Sequence, residues 1–232
     1  MELNTFPIKE ISTCAILVPL GFAAYTLKTG DLKIRLFFLF LLVGACVDGM
    51  GWFIYSNELE NLYTFHGVFQ YCYLFFEALF FVWLCTGFLN HPKVERIRIS
   101  FFTLLTIAFL IKGVLFFAHL DDPYRPSPLN SLMDGMFLAS ISFLSAFALL
   151  QMAERISQLL TYPWFWIISG IFFYCFGSFF IDIMLAVGIM EEIWGMKNVV
   201  NIIQYGFFTT GLYLYEGNSF YQGANSRIQK ES

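Results

Sequence analysis

Ten polar or ionisable residues of this sequence lie within stretches that are otherwise apolar, and these side chains are the best placed to do chemistry. They are Asp48, His66, Gln70, Glu77, Lys112, Asp134, Asp182, Asn198, Asn201 and Gln204. Such groups are costly at membrane depth, so they usually face a bundle interior or a hydrated cavity and mark a function. We therefore treat the ten as candidate ligand-binding residues.

The spacing of these residues favours helices that each carry one polar face. His66, Gln70, Tyr73 and Glu77 are separated by four, three and four residues, so a helix places them on one face. The same kind of spacing recurs in three further stretches, around Asp48, Asp182 and Asn201. These polar faces are expected to converge on a shared interior, in the half of the bundle nearer the outside.

Two interpretations of this polar set remain open. In the first, the contacts are structural: Lys112 pairs with Asp48 or Asp182, and the amides bond between helices. In the second, the groups line a pocket that opens to the outside. Four acids stand against one lysine in the set, and such an excess must be protonated, hydrated or matched by a bound cation. Glu77, which is deepest and has no obvious partner, is expected to be neutral at pH 7.

The elements that must position these groups are apolar runs of membrane-spanning length. Of the 232 residues, 58% are hydrophobic and 13% charged, against about 25% charged in soluble domains. A helix of about 20 apolar residues crosses a bilayer, and the runs lack the strict alternation of a barrel strand. The sequence thus predicts an all-α polytopic membrane bundle of about seven transmembrane helices. The predicted spans are 11–27, 36–55, 62–89, 99–120, 131–152, 164–188 and 197–215.

The orientation follows from the basic residues of the linkers. Nine Lys and Arg residues fall on one set of linkers, three on the other and one, Lys112, within a span. Cytoplasmic loops carry the excess of Lys and Arg, which predicts an N-terminus outside and a C-terminus in the cytoplasm. We expect residues 1–216 to form the transmembrane domain and residues 217–232 to form a polar cytoplasmic tail, too short for an effector domain.

Metal, nucleotide and nucleic-acid sites find no support in the sequence. His91 and His119 fall at opposite ends of the fourth span, so a three-histidine zinc centre with His66 is not expected. The five cysteines lie in apolar runs without a CxxC pair, which indicates neither a disulfide framework nor a zinc site. We find no phosphate-binding or dinucleotide motif and no long basic tract. We predict no metal, no cofactor and no nucleic-acid partner.

Three stretches carry a resemblance. They are FHGVFQYCYLFFEALFF around Glu77, TYPWFWIISGIFFYCFGSFF at 161–180 and the IW…NVVNIIQYGFFTTGLYLY region at 193–215. The chain resembles an uncharacterised family of small seven-helix integral membrane proteins of Bacteroidota bacteria. This resemblance implies a multi-pass protein of the bacterial inner membrane and adds little about activity. The residues that match the family's pattern are Asp48, Glu77, Pro163, Phe165, Trp166, Ile167, Ser169, Gly170 and Asn201.

Three functions compete on this evidence. The leading hypothesis is a receptor-like or sensory bundle that binds a small ligand in an outward-facing polar pocket. A separate cytoplasmic signalling partner would then read the shift in helix packing. The alternative is an intramembrane lipid-modifying enzyme with Glu77 or Asp48 as general base, so enzymatic activity stays open. A small transporter is the third, although no internal repeat supports a through-path.

Overall fold

The computed structural model describes the backbone of residues 8–28, 31–117, 128–186 and 194–231, and side chains within 8–28, 31–115, 133–184 and 195–216. Within these ranges the regular structure is helical throughout, with no strand. The prediction of an all-α fold is confirmed. The helices are α1 (Ile8–Ala15), α2 (Leu17–Thr26), α3 (Leu32–Ser56), α4 (Tyr63–Thr86), α5 (Val94–Phe117), α6 (Pro128–Arg155), α7 (Pro163–Ala186) and α8 (Trp194–Glu231).

The first two helices form one membrane segment with a local interruption. Pro19 has no N–H to donate to the carbonyl of Ala15, and its ring crowds that carbonyl. The break falls at Ile16, which nevertheless keeps helical backbone angles and accepts a hydrogen bond from the Leu20 amide at 3.1 Å. Together α1 and α2 therefore supply a single span, Ile8–Thr26.

Six helical segments of the described chain are long and apolar enough to cross a membrane. Polar groups in the first turns of α8 lower its hydropathy, and this helix is not among the six. It nevertheless packs on α7, α1 and α2 as the seventh member of the bundle. Its backbone continues to Glu231, so the predicted polar tail extends this helix. The six spans are Ile8–Thr26, Leu32–Ser56, Glu60–Thr86, Val94–Leu115, Met133–Arg155 and Pro163–Met184.

The helices form a closed ring with one helix outside it. Neighbouring contacts run from α4 to α6, α7, α8, the α1–α2 segment, α3 and back to α4. Helix α5 lies outside this ring, mainly against α4, and touches α6 only slightly. Its outer face exposes Leu104, Ile107, Leu110 and Val114, as suits a helix whose solvent is lipid.

An aromatic core fills the centre of the ring. The rings of Phe40 and Phe80 stack with centroids 4.9 Å apart, and Phe37 meets Phe208 edge-on at 5.0 Å. These contacts join α3, α4 and α8. On the α7–α8 seam, a Cβ built on Gly211 would lie 2.8 Å from the carbonyl oxygen of Pro163. Only glycine permits this approach, so α8 is held closely against α7.

Candidate functional site

A cavity of about 240 Å³ lies at one end of the bundle, where α4, α6 and α8 begin and α5 and α7 end. Five helices contribute to its lining. Because alternate helices run in opposite directions, residues far apart in sequence meet at this end. The polar residues that line it are Tyr71, Glu77, Lys112, Asp134, Tyr174, Ser178, Asp182, Lys197 and Asn201.

Two ion pairs lie at the shallow end of the cavity. Lys112 on α5 pairs with Asp134 on α6, and Lys197 on α8 pairs with Asp182 on α7 at 2.5 Å. The expected pairing of Lys112 with Asp48 or Asp182 is therefore wrong. The physical reason for this difference is the position of α5. This helix lies outside the ring beside α4 and α6 and has no substantial contact with α3 or α7, which carry Asp48 and Asp182. Asp134 is the carboxylate within reach.

Glu77 lies deeper, near the middle of α4. Its side chain is buried, with 8% of the residue exposed, and the Tyr174 hydroxyl donates a hydrogen bond to its Oε2 at 3.4 Å. Tyr174 precedes Asp182 by eight residues on α7, which corresponds to about 12 Å along the helix axis. Beyond Glu77 the lining becomes apolar. The cavity thus has a charged end and an apolar end, with one carboxyl group between them.

A second carboxyl group lies behind Glu77, away from the cavity. Asp48 on α3 is close enough to interact electrostatically with Glu77. Both acids also interact electrostatically with the hydroxyls of Tyr73, Tyr174 and Tyr205. Four helices of the ring, α3, α4, α7 and α8, therefore contribute to one polar cluster, of which only Glu77 and Tyr174 line the cavity.

The structure divides the ten candidate residues into two groups of equal size. Glu77, Lys112, Asp134, Asp182 and Asn201 line the cavity. Asp48, His66, Gln70, Asn198 and Gln204 do not. The structure therefore brings the first group together at this end of the bundle, whereas the second group lies away from the cavity.

His66 and Gln204 are buried within the helix packing, whereas Gln70 is exposed. The His66 Nε2 atom lies 3.4 Å from the Val47 carbonyl oxygen, and its ring fits against Gly51, where a Cβ would approach within 2.7 Å. This arrangement ties α4 to α3. Within the described residues, His66 Nδ1 and Gln204 Nε2 have no hydrogen-bond partner. Asn198 is partly exposed.

Lys197 is the charged residue of the described cavity lining that is not among the ten candidates. The predicted seventh span begins at this residue, which would place its charge at the outer edge of the membrane. Helix α8 instead begins at Trp194, so Lys197 already lies in the first turn. The signal was its spacing of four residues from Asn201, which places both on one helical face.

The opposite end of the bundle is closed by polar and aromatic contacts. The Arg98 Nε atom donates to the Thr86 hydroxyl at 2.9 Å, and the backbone N–H of Asn90 donates to the Gln151 side-chain oxygen Oε1 at 2.7 Å. The Lys33 ammonium lies 4.2 Å from the centre of the Phe88 ring. These contacts join α3, α4, α5 and α6 at the end that carries most of the basic residues.

The described part of the chain contains no group of three or more His, Cys, Asp or Glu residues that could hold a metal. In comparisons with known proteins, no family model, curated protein or solved structure matches this chain. The resemblance to a Bacteroidota membrane family thus stays a prediction. The fold and its apolar helices define a polytopic α-helical membrane bundle, and the cavity is its candidate site.

Proposed function

We propose that this protein is a receptor-like or sensory membrane bundle that binds a small ligand in the cavity between α4, α5, α6, α7 and α8. The observation that carries the proposal is the cavity of about 240 Å³, with paired charges at one end and apolar walls at the other. Pockets that combine an apolar lining with a few convergent polar groups are the usual form of a small-molecule site.

The cavity opens toward the outer side of the membrane in this proposal. The basic residues of the linkers cluster at the opposite end, which the positive-inside rule assigns to the cytoplasm. The N-terminus is then outside, and α8 runs inward from the cavity. We place the protein in the bacterial inner membrane on the resemblance described above.

Helix α8 is the element best suited to carry a signal. It contributes Lys197 and Asn201 to the cavity, packs closely on α7 through Gly211 and continues as one helix to Glu231. A ligand that binds more tightly to one position of α8 than to another shifts the population toward that position. A separate cytoplasmic partner would then read the displaced inner end.

A thermal-melting screen in lipid nanodiscs tests the proposal. A panel of small cationic, anionic and neutral molecules is scored for stabilisation, which follows from binding to the folded state alone. Hits are repeated on Ala108→Trp, which fills the cavity, and on Ile107→Trp, whose side chain is exposed on the same helix. We expect stabilisation to be lost in the first variant and kept in the second. Equal responses of both variants would contradict a cavity site.

Hydrogen exchange of the ligand-bound protein then tests the receptor role. We expect altered protection at the inner end, in the connection between α6 and α7 and in the last turns of α8, when a ligand occupies the cavity. Protection that changes only around the cavity would contradict signalling across the bundle.

An intramembrane lipid-modifying enzyme is the second candidate. Two observations favour it: a buried carboxyl group that accepts a hydrogen bond from a tyrosine, and the slight contact between α5 and α6, where an acyl chain would enter from the lipid in this case. Glu77 would act as general base in this case. Incubation with membrane lipids and mass spectrometry separates the two candidates, because only an enzyme converts a bound lipid to a product. Uptake into sealed vesicles would instead identify a transporter.

A further inference from the structure

Among the described lining residues, the cavity contains one carboxyl group that is not paired with a lysine. Among the described lining residues, both lysines are already paired, Lys112 with Asp134 and Lys197 with Asp182. Glu77 has only the Tyr174 hydroxyl as a hydrogen-bond partner in the described chain. Its second oxygen is left for a ligand. Glu77 is expected to be neutral in the empty cavity, and an ammonium group bound beside it favours the ionised carboxylate, which accepts a charge-assisted hydrogen bond.

Several aromatic rings line the same cavity as Glu77. The Phe109 ring stacks with two others: its centroid lies 4.2 Å from that of Phe75 and 4.6 Å from that of Tyr71. Phe81 and Phe137 also line the cavity. The negative faces of such rings attract an ammonium group when water is excluded, and their apolar surface suits a hydrocarbon or aromatic body.

The size of the cavity limits the ligand to a small molecule. A cavity of about 150 Å³ holds a benzene ring, and pockets for drug-sized ligands measure about 300–1,000 Å³. A volume of about 240 Å³ lies between the two. It accommodates one aromatic ring or a short alkyl chain together with a polar head group.

We propose that the ligand is a small amphiphilic amine, whose ammonium group binds Glu77 and whose apolar body packs among Phe75, Phe81 and Phe137. This inference rests on the proposed function, since it names the ligand class of the same cavity. An anionic ligand is disfavoured because it would meet the Glu77 carboxyl group, and no arginine is among the described lining residues.

The test compares two probes that differ only in the charged group, 2-phenylethylamine and 2-phenylethanol. Titration calorimetry on the full chain in nanodiscs gives both dissociation constants. We expect the amine to bind at least about tenfold more tightly than the alcohol, because a hydrogen bond to a charged partner contributes more than a neutral one. Glu77→Gln is expected to remove this preference. Glu154→Gln is the matched control, since Glu154 is exposed near the end of α6 that lies away from the cavity and does not line it, and it is expected to keep the preference.

Three outcomes would overturn the inference, and they differ in what else they reject. Equal binding of amine and alcohol by the unaltered protein rejects the amine class but leaves a ligand-binding cavity. A preference that survives in Glu77→Gln rejects Glu77 as the binding group. No binding of either probe at millimolar concentration rejects the inference, and failure of the whole screening panel with it rejects the proposed function.

Discussion

The two ion pairs of the cavity are expected to differ in how much they stabilise the fold. Replacing Lys112 or Lys197 by Met removes the charge and keeps a side chain of similar length. Each substitution leaves one carboxylate without its lysine. The side chain of Asp134 is 46% exposed, whereas that of Asp182 is 21% exposed. Asp134 can therefore be rehydrated, and Asp182 is left partly enclosed between α7 and α8.

The expected magnitudes follow from these exposures. Breaking a fully buried pair by removing one partner costs about 3–5 kcal/mol, whereas an exposed pair contributes about 0.2–1 kcal/mol. Asp182 lies between these limits, so we expect Lys197→Met to lower the free energy of unfolding by about 2 kcal/mol. For Lys112→Met we expect a loss of at most about 1 kcal/mol.

Reversible unfolding by dodecyl sulfate in mixed micelles measures both losses. The double variant Lys197→Met/Asp182→Asn is the control, because replacing both partners removes the stranded charge and is expected to recover most of the lost stability. Equal losses in the two lysine variants, or a larger loss in Lys112→Met, would refute this account of the cavity's electrostatics. A double variant as unstable as Lys197→Met alone would do the same.

Two further predictions concern the packing and the orientation of the bundle. Gly211→Ala is expected to lower the free energy of unfolding by about 1–2 kcal/mol, because its Cβ would meet the Pro163 carbonyl oxygen at 2.8 Å. Gly206→Ala is the control, because nothing lies within 4 Å of a Cβ built there, and it is expected to be neutral or to stabilise by up to about 1 kcal/mol. A loss of stability in Gly206→Ala that exceeds the loss in Gly211→Ala, in the same unfolding assay, would contradict the close α7–α8 seam. Alkaline phosphatase fused after residue 59 is expected to be active and after residue 216 inactive, and the reverse pattern in cells would overturn the orientation.

The helices could be predicted from the sequence because lipid leaves the backbone few options. Every N–H and C=O group in the hydrocarbon must be satisfied within its own segment, so each long apolar run is a helix. Most of the predicted ends lie within three or four residues of the structural ones. The interruption at Ile16 also has a local cause, in Pro19 three residues later. These features depend on neighbours in sequence, which pattern reasoning can see.

The pairing of the charged groups depends on which helices are neighbours in space, so the sequence alone could not predict which lysine pairs with which acid. Helical spacing correctly put Glu77 and Asp182 toward the interior, where both line the cavity. It could not show that α5 lies outside the ring, which is why Lys112 reaches Asp134. His66 and Gln70 illustrate the same limit: residues four apart lie about 40° apart around a helix, enough for one to be buried and the other exposed.

The most direct test of the central claim is a cysteine-accessibility measurement at two positions of α8. Asn201 lines the cavity, whereas Ile203, two residues further, is 45% exposed away from it. The exposed cysteines Cys14, Cys46 and Cys72 and the cavity-lining Cys175 are first replaced by Ala, and the buried Cys85, which does not line the cavity, is kept. A charged thiosulfonate reagent is then applied to each variant in nanodiscs. If water and ions enter the cavity, Asn201→Cys reacts and Ile203→Cys, which faces lipid, does not. Reaction at Ile203→Cys alone, or no reaction at either position, would contradict a water-accessible cavity among the helices.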